Sequence, residues 1–350
     1  MPDATSPVAA RWIQRWLILI GLMVYAMILI GGATRLTDSG LSITEWAPIK
    51  GSLPPLGDAA WLSEFEKYKT TAEFQQQNYN ISMAEFQYIY WWEWGHRLFG
   101  RLIGLVAIGG FVWFAAMRWL SQKWAIRLAV LIALGGLQGF IGWWMVASGI
   151  GETERLDVAP YRLMTHFGLA LLIIAITTWF WLDLSERKRV TMSPPLRLLA
   201  LVLLGLTSVQ MLTGALVAGL DAGRSYTDWP LMAGELVPAH YIDDNLGARS
   251  LFEGRAATQF NHRLGAYLLW ALSLYAAFRA YGSEAFRGFA MIAVLVTAQA
   301  IWGIITLINA APLPIALVHQ GLGVIVLLVA IWLVWTSRAP IPSNTQTASA

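Results

Sequence analysis

Eight apolar stretches dominate this 350-residue chain and restrict what it can fold into. A helix that spans a membrane needs about 20 consecutive apolar residues. Stretches of that kind run at 13–33, 98–118, 124–148, 163–182, 196–218, 262–280, 288–309 and 314–335. With 57% hydrophobic and 13% charged residues, the chain is also too apolar for an ordinary soluble domain. The sequence therefore predicts an all-α membrane protein with eight transmembrane helices.

The basic residues indicate how these helices are oriented. If the N-terminus is cytoplasmic, the basic clusters face the cytoplasm, as the positive-inside rule prefers. The clusters are Arg11/Arg15, Arg118/Lys123/Arg127 and Arg187/Lys188/Arg189/Arg197. We therefore expect both termini to be cytoplasmic and the first helix to be an uncleaved anchor in a bacterial inner membrane. The net charge of +3 then reflects topology and does not indicate a nucleic-acid partner.

The two halves of the chain repeat one another. Residues 38–46 (DSGLSITEW) match residues 221–229 (DAGRSYTDW), and each segment follows an apolar run that contains Gly-Ala, at 32–33 and 214–215. Further on, QGFIG at 138–142 matches QAIWG at 299–303. Matched Asp, Thr, Trp and Gln are unusual for membrane segments, so the pattern indicates an internal duplication. We therefore predict two pseudo-symmetric four-helix bundles.

The duplication suggests boundaries along the chain. We predict a cytoplasmic N-terminus at 1–12, an N-terminal half at 13–183 with a long outer loop at 34–97, a cytoplasmic linker at 184–195, a C-terminal half at 196–335 with an outer loop at 219–261, and a disordered cytoplasmic tail at 336–350. Segment 58–76 of the first outer loop is periodic enough to form a short interfacial helix.

Four of the five histidines occupy matched positions: His96 matches His262, and His166 matches His319. Each is predicted in the first turn or two of a helix that runs from outside to inside, which places all four near the periplasmic face. Imidazole is a standard axial ligand of haem iron, and two histidines on different helices can approach it from opposite sides. The sequence offers no compact set of Cys or acidic ligands for zinc. We therefore predict two bis-histidine haem sites, with unmatched His240 on the surface.

Glu93 distinguishes the first half from the second. It lies three residues before His96, so the two side chains share a helix face, whereas the matched residue of the second half is Gln259. An acid at this depth is a candidate functional residue because its desolvation is costly. The alternative is an ion pair with Arg97 or Arg101. If Glu93 is functional, one haem site is reactive and the other is structural or carries electrons.

Two further pairs of polar residues accompany the histidines. Arg97 and Arg263 each follow a histidine and could bind haem propionates by charge-assisted hydrogen bonds, or extend toward the outer surface. Gln138 and Gln299 are interpreted as polar contacts between helices.

These motifs resemble those of the haem A synthase family, in its proteobacterial and mitochondrial branch. The resemblance covers residues 12–335 and rests on GGATRLTDSGLS at 31–42, EWGHR at 93–97, THFG at 165–168, FNHR at 260–263 and VHQG at 318–321. It implies an eight-helix oxidoreductase of two similar halves. Such an enzyme converts haem O to haem A by oxidising the C8 methyl, through a hydroxymethyl stage, to a formyl group. The product serves terminal cytochrome oxidases.

The same resemblance implies residue roles. His262 and His319 would hold a permanently bound haem b, His96 and His166 would line the haem O site, and Glu93 would be the essential glutamate. Some members carry a cysteine pair in the first outer loop, but this chain has no cysteine, so a thiol-based role cannot operate here. The expected partners are the haem O synthase that supplies the substrate, a quinone or ferredoxin-like electron partner, and the lipid bilayer. Homo-oligomerisation is left open.

Two other functions fit a duplicated membrane bundle. A di-haem b-type cytochrome would transfer electrons from quinol without oxidising a substrate, but its haems usually lie on opposite membrane faces, whereas the four histidines here share one face. A transporter would need charged groups along a path at mid-membrane depth, and the sequence offers none. Within the haem A synthase hypothesis, oxygen rebound and water attack both remain open as the oxidation mechanism.

Overall fold

The computed structural model describes residues 6–150 and 155–338. Within these residues the structure is helical and contains no named strand. The α-helices are α1 (Pro7–Leu36), α2 (Asp58–Tyr68), α3 (Ala72–Gln76), α4 (Met83–Ala116), α5 (Gln122–Val146), α6 (Pro160–Leu184), α7 (Pro194–Gly219), α8 (Ser250–Glu253), α9 (Arg255–Ala280), α10 (Phe286–Ile308) and α11 (Leu313–Thr336). The predicted all-α class is confirmed for this part of the chain. Most of the tail predicted to be disordered lies outside the described residues.

Seven of the described helices are long and apolar enough to cross a membrane: α1, α4, α5, α6, α7, α10 and α11. Helix α9 has 26 residues but does not belong to this group. Its outer end carries Arg255, Gln259, Asn261 and Arg263, which lower its mean hydropathy. The structure thus confirms a multi-pass membrane protein with seven of the eight predicted spans.

Helix α4 begins well before the apolar stretch predicted at 98–118. Its start is fixed by a capping box: the Ser82 hydroxyl accepts a hydrogen bond from the backbone N–H of Glu85, and the Glu85 carboxylate accepts one from the backbone N–H of Ser82. Such reciprocal bonds satisfy two donors that a helix start otherwise leaves free. The outer end of α4 is rich in aromatic and polar residues, so apolar content alone did not reveal it.

The longer helices shorten the predicted outer loops. The first connection spans 37–82 rather than 34–97, and α9 begins inside the second predicted loop, 219–261. His96 therefore lies about four turns inside α4 rather than in its first turn or two. The other three candidate ligands lie about two turns inside their helices, as predicted.

The first outer loop is folded against the outer end of α4. The short helix predicted at 58–76 appears as two helices, α2 and α3, which are separated at Thr71, whose hydroxyl caps α3 by accepting from the N–H of Phe74 at 3.2 Å. Burial of apolar side chains drives this packing. The buried cluster consists of Ile43, Phe65, Tyr68, Phe86, Ile89 and Tyr90.

The long helices contact one another in two rings. In the first half, α1 packs against α4 and α6, and α5 packs against the same two helices. In the second half, α7 packs against α9 and α11, and α10 packs against the same two helices. The halves meet where α6 contacts α7 and α11 and where α1 contacts α11. In each ring the two histidine-bearing helices are diagonally opposite, so their inner faces point at a shared centre.

An ion cluster joins the halves at the end of the bundle that carries the two long loops. Arg35 contacts Asp38 at 2.9 Å, Asp157 at 3.2 Å and Asp221 at 2.7 Å. Asp38 and Asp221 are matched by the duplication, and both have left-handed backbone conformations, with φ of 50° and 51°. Burial raises the pKa of Asp38 and of Asp157 above the usual range, and the charge of Arg35 opposes that rise. One guanidinium thus links both repeats of the duplicated loop.

Candidate haem sites

Each of the four matched histidines packs over a glycine of a neighbouring helix. A methyl group on Gly31 would lie 3.2 Å from Cε1 of His96, and one on Gly214 would lie 3.1 Å from Cε1 of His262. The corresponding distances are 2.9 Å for the pair Gly142 and His166 and 2.8 Å for the pair Gly303 and His319. At Gly142 and Gly303 a side chain would force the imidazole to shift, and at Gly31 and Gly214 it would crowd the ring, so the glycines allow each imidazole to approach the next helix closely.

These contacts correct one detail of the sequence comparison. The glycine that matches Gly214 is Gly31, not Gly32, and its spacing equals that between Asp38 and Asp221. Gly32 contacts Gln320 instead. The whole outer end of α1 therefore matches that of α7 at a single offset.

Three glutamines hold three of the histidine positions. Nε2 of Gln138 donates to the backbone oxygen of His166 at 3.0 Å, that of Gln210 to His262 at 2.8 Å, and that of Gln299 to His319 at 2.9 Å. Each amide also lies 3.1–3.2 Å from Nδ1 of the same histidine. The prediction that Gln138 and Gln299 connect helices is confirmed, but their place beside the histidines was missed, as was Gln210. The signal was available: each glutamine precedes one of these glycines by four residues, in a Gln-x-x-x-Gly pattern.

His96 has a different environment. Its Nδ1 lies 3.4 Å from the hydroxyl of Thr34, and the residue that matches Gln210 is Met27, which cannot donate a hydrogen bond. His262 has both Gln210 and a hydroxyl, because Oγ1 of Thr213 lies 3.0 Å from its Nδ1. The first half therefore holds one of its histidines by fewer polar contacts than the second.

The histidine pairs fit haem iron as axial ligands. In each half the two histidines lie on diagonally opposite helices of one ring, an arrangement in which both could face one iron. A histidine that binds metal through Nε2 donates from Nδ1 to an acceptor, and the threonine hydroxyls supply one for His96 and His262. For the other two, Oε1 of Gln138 and of Gln299 is buried without a hydrogen-bond partner among the described residues. The amide nitrogen of each glutamine donates to the backbone oxygen of its histidine.

Glu93 is buried, with 3% of its surface exposed, and its carboxylate is fully engaged. Oε2 accepts hydrogen bonds from the hydroxyl of Ser42 and the backbone N–H of Ile43, both at 2.7 Å, and Oε1 forms an ion pair with Arg97. The ion pair with Arg97 is thus present, while Arg101 donates to loop carbonyls, and the catalytic role of Glu93 stays a prediction. The carboxylate is held rigidly, one helical turn from His96.

Arg97 and Arg263 clamp the duplicated loops over the two sites. Arg97 donates to the carbonyl oxygens of Ile43 and Glu45, and Arg263 donates to those of the matched Tyr226 and Asp228. This clamp explains why the loop motif and the arginine recur together in both halves. Contacts with haem propionates stay a prediction. A cavity of about 140 Å³ borders Arg97 and the end of α5.

His240 is the remaining histidine. It lies in the second outer loop, is exposed to solvent, and takes no part in the contacts described above, in agreement with its predicted surface position.

The fold and the site together define a class: a multi-pass helical membrane protein with two matched pairs of half-buried histidines. A family model described as "Cytochrome oxidase assembly protein" matches residues 14–331. A haem A synthase of Hyphomonas neptunium is 65% identical over 97% of each chain, and those of Paracoccus denitrificans and Dinoroseobacter shibae are 47% and 45% identical. These cover 91% and 99% of this chain, and 86% and 93% of their own. The chain belongs to the haem A synthase family, as its motifs predicted.

Proposed function

We propose that this protein makes haem A by oxidising the C8 methyl of haem O to a formyl group. The family and the names of the relatives support haem A synthesis. The observation that carries the chemical assignment is a buried carboxylate beside one histidine pair only: Glu93 lies one turn from His96, whereas the second half has Gln259. The comparisons do not favour the alternative of a di-haem cytochrome.

The two halves then have different roles. His96 and His166 would hold the substrate haem O, and His262 and His319 would hold a resident haem b, which supplies one-electron transfer when bound. The polar contacts support this division. A resident group needs firmly held ligands, and His262 is held by both Gln210 and Thr213. A substrate must leave after each turnover, and His96 has the weaker set of contacts.

Glu93 has a role that its geometry supports. Oxidation of a methyl group by electron removal builds positive charge at carbon, which a fixed carboxylate stabilises. The same carboxylate can accept a proton from the water that adds there. Ser42, Ile43 and Arg97 orient it, so little reorganisation is needed when charge develops. Two such rounds, each of which would release two protons and pass two electrons to an acceptor such as a quinone, give a hydrated aldehyde, which loses water to the formyl group.

We also propose eight membrane spans in two four-helix bundles, with α9 as the eighth. At 1.5 Å per residue its 26 residues extend about 39 Å, enough to cross a bilayer. Its polar Gln259 and Arg263 are buried and face the second outer loop rather than lipid. With basic residues concentrated at the end of the bundle opposite the histidines, both termini would be cytoplasmic and both haem sites near the periplasmic face of a bacterial inner membrane.

The proposed reaction implies partners. A haem O synthase would supply the substrate, and a quinone or a ferredoxin-like protein would exchange electrons with the second half. The product would pass to a terminal cytochrome oxidase during its assembly, as the family description indicates.

Expression in cells that make haem O but lack their own haem A synthase tests the function. Extracted haems are separated by chromatography and identified by mass. We expect haem A together with its hydroxymethyl precursor. Haem B and haem O alone, from a folded protein with a bis-histidine spectrum and a supplied electron partner, would contradict the proposal. His240→Ala is a suitable positive control because this histidine is exposed and takes no part in the contacts of the two proposed haem sites.

A further inference from the structure

The second half closes the seam between α9 and α10 with one polar contact. Nε1 of Trp270 on α9 donates a hydrogen bond to Oγ1 of Thr297 on α10 at 3.1 Å. The indole, 41% of which is exposed, bridges the two helices at the surface of the bundle.

The matched positions of the first half are both glycine. Gly104 follows His96 by eight residues, as Trp270 follows His262, and Gly136 precedes Gln138 by two residues, as Thr297 precedes Gln299. A methyl group on either glycine would meet no atom within 4 Å. The same holds for Gly135 and Gly139 on α5, and α4 and α5 contact each other less extensively than α9 and α10. The side chains that bridge this seam in the second half thus have no counterpart at Gly104 and Gly136.

The seam between α4 and α5 at Gly104 and Gly136, here called the groove, lies inward of His96 and His166. Eight residues of helix separate Gly104 from His96, a distance of about 12 Å, and Gly136 lies about one half-turn inward of Gln138, which contacts His166. Exposed apolar side chains flank the groove on both helices, and they include Leu105, Ile108, Leu137 and Phe140. A ligand held between the histidines could therefore extend a chain into the groove without leaving apolar surroundings.

We infer that the groove between α4 and α5, lined by Gly104 and Gly136, holds the farnesyl chain of the substrate haem and lets that chain enter from the lipid bilayer. The inference rests on the proposed function, in which the first half binds haem O and the second half binds haem b. These haems differ in the farnesyl chain, and the halves differ in the groove. The open half is the one assigned to the haem with the chain, and Trp270 occupies the same space in the other half.

Filling the groove tests the inference. Gly104→Trp combined with Gly136→Thr introduces the closing pair of the second half, and binding of haem O and of haem B to purified protein in lipid nanodiscs is measured by absorbance titration. We expect the dissociation constant of the first half for haem O to rise about tenfold or more, and that for haem B, which lacks the chain, to change less than about twofold. Gly109→Trp is the matched control: it is an open, exposed glycine of α4 on another face, and Tyr275 occupies its matched position.

Two outcomes would overturn the inference. Unchanged affinity for haem O would show that the groove holds only membrane lipid, and an equal loss for both haems would show that the porphyrin site was disturbed. Trp270→Gly with Thr297→Gly provides a second test if the filled variant does not fold: haem O should then replace part of the haem B that copurifies with the second half, and no replacement counts against the inference. Since these are binding measurements, a wild-type protein that selects haem O but forms no haem A would contradict the proposed function alone.

Discussion

The two halves of this protein share a scaffold and differ at the positions that decide what a haem can do there. Both place a histidine over a glycine on each of two diagonal helices, and both clamp the same outer loop with an arginine. The second half adds Gln210, which donates a hydrogen bond to His262, and the hydrogen bond between Trp270 and Thr297. The first half has Met27, Glu93 and Gly104 at the matched positions. Under the proposed function, these few differences would separate a half that retains its haem from a half that exchanges and oxidises one.

The largest expected effect is on bound haem. His262→Ala removes an axial ligand of the retaining site, and we expect the stable b-type absorption spectrum of the purified protein to be lost. His96→Ala removes the matched ligand of the exchanging site, and we expect that spectrum to persist while haem A formation stops. The measurement is the reduced-minus-oxidised difference spectrum. The opposite pattern would interchange the roles of the halves.

Glu93→Gln gives the first half the residue of the second. We expect haem A formation to fall about 100-fold or more, because the carboxylate that stabilises developing charge is lost, while titration shows haem O still bound. Extracted haems are quantified by chromatography. Glu85→Gln is the control, since it keeps a capping residue at the exposed start of α4. Full turnover by Glu93→Gln would exclude Glu93 as the catalytic group and leave it as the partner of Arg97.

Much of this site could be predicted from the sequence because the duplication marks it twice. The four histidines, Glu93 and the arginines were identified by matching the halves, and membrane composition was sufficient for the fold class. The contacts around them were harder to predict. Which glycines face an imidazole depends on how the neighbouring helices are rotated about their axes, and helix packing sets that rotation.

One helix start and one site residue were missed for different reasons. The start of α4 was missed although Ser82 and Glu85 form a recognisable capping box, because its outer end is not apolar. Gln210 was overlooked because it has no counterpart in α1. The contact of Ser42 with Glu93 joins residues 51 positions apart. Local sequence patterns do not predict contacts between residues so far apart in the chain.

Gln210→Met tests whether the glutamine explains firm retention in the second half. The change introduces the residue of the first half and removes the donor to His262. Because groups that orient a metal ligand typically contribute 10- to 100-fold in affinity, we expect haem transfer to apomyoglobin to be about tenfold faster. Gln75→Met, at an exposed position of α3, is the control. Met27→Gln should act in the opposite direction and slow exchange of haem O; if neither change alters the rates, the glutamine does not distinguish the halves.

The smallest effect on turnover is expected at Glu73, in the folded outer loop of the first half. Its carboxyl is buried, and burial, followed by the charges of Asp157, Asp38 and Glu93, raises its pKa to about 8. Because this value lies above the usual 4.5, the loop is most stable below about pH 4.5, loses stability as the pH rises to about 8, and changes little beyond.

Glu73→Gln should remove this pH dependence. In the wild type we expect hydrogen exchange of α2 and α3, corrected for the intrinsic rate, to become faster between pH 5 and pH 8. The corresponding free energy of protection should fall by at most about 1.4 kcal/mol per pH unit. The variant should show nearly constant protection, and Glu66→Gln, at an exposed position of α2, should behave as the wild type. If protection depended on pH equally in all three proteins, ionisation of Glu73 would not destabilise the loop. Protection that is independent of pH in the variant alone would show that ionisation of Glu73 destabilises the first long loop. The first half would then tolerate a second buried carboxyl whose pKa is influenced by the charge of Glu93.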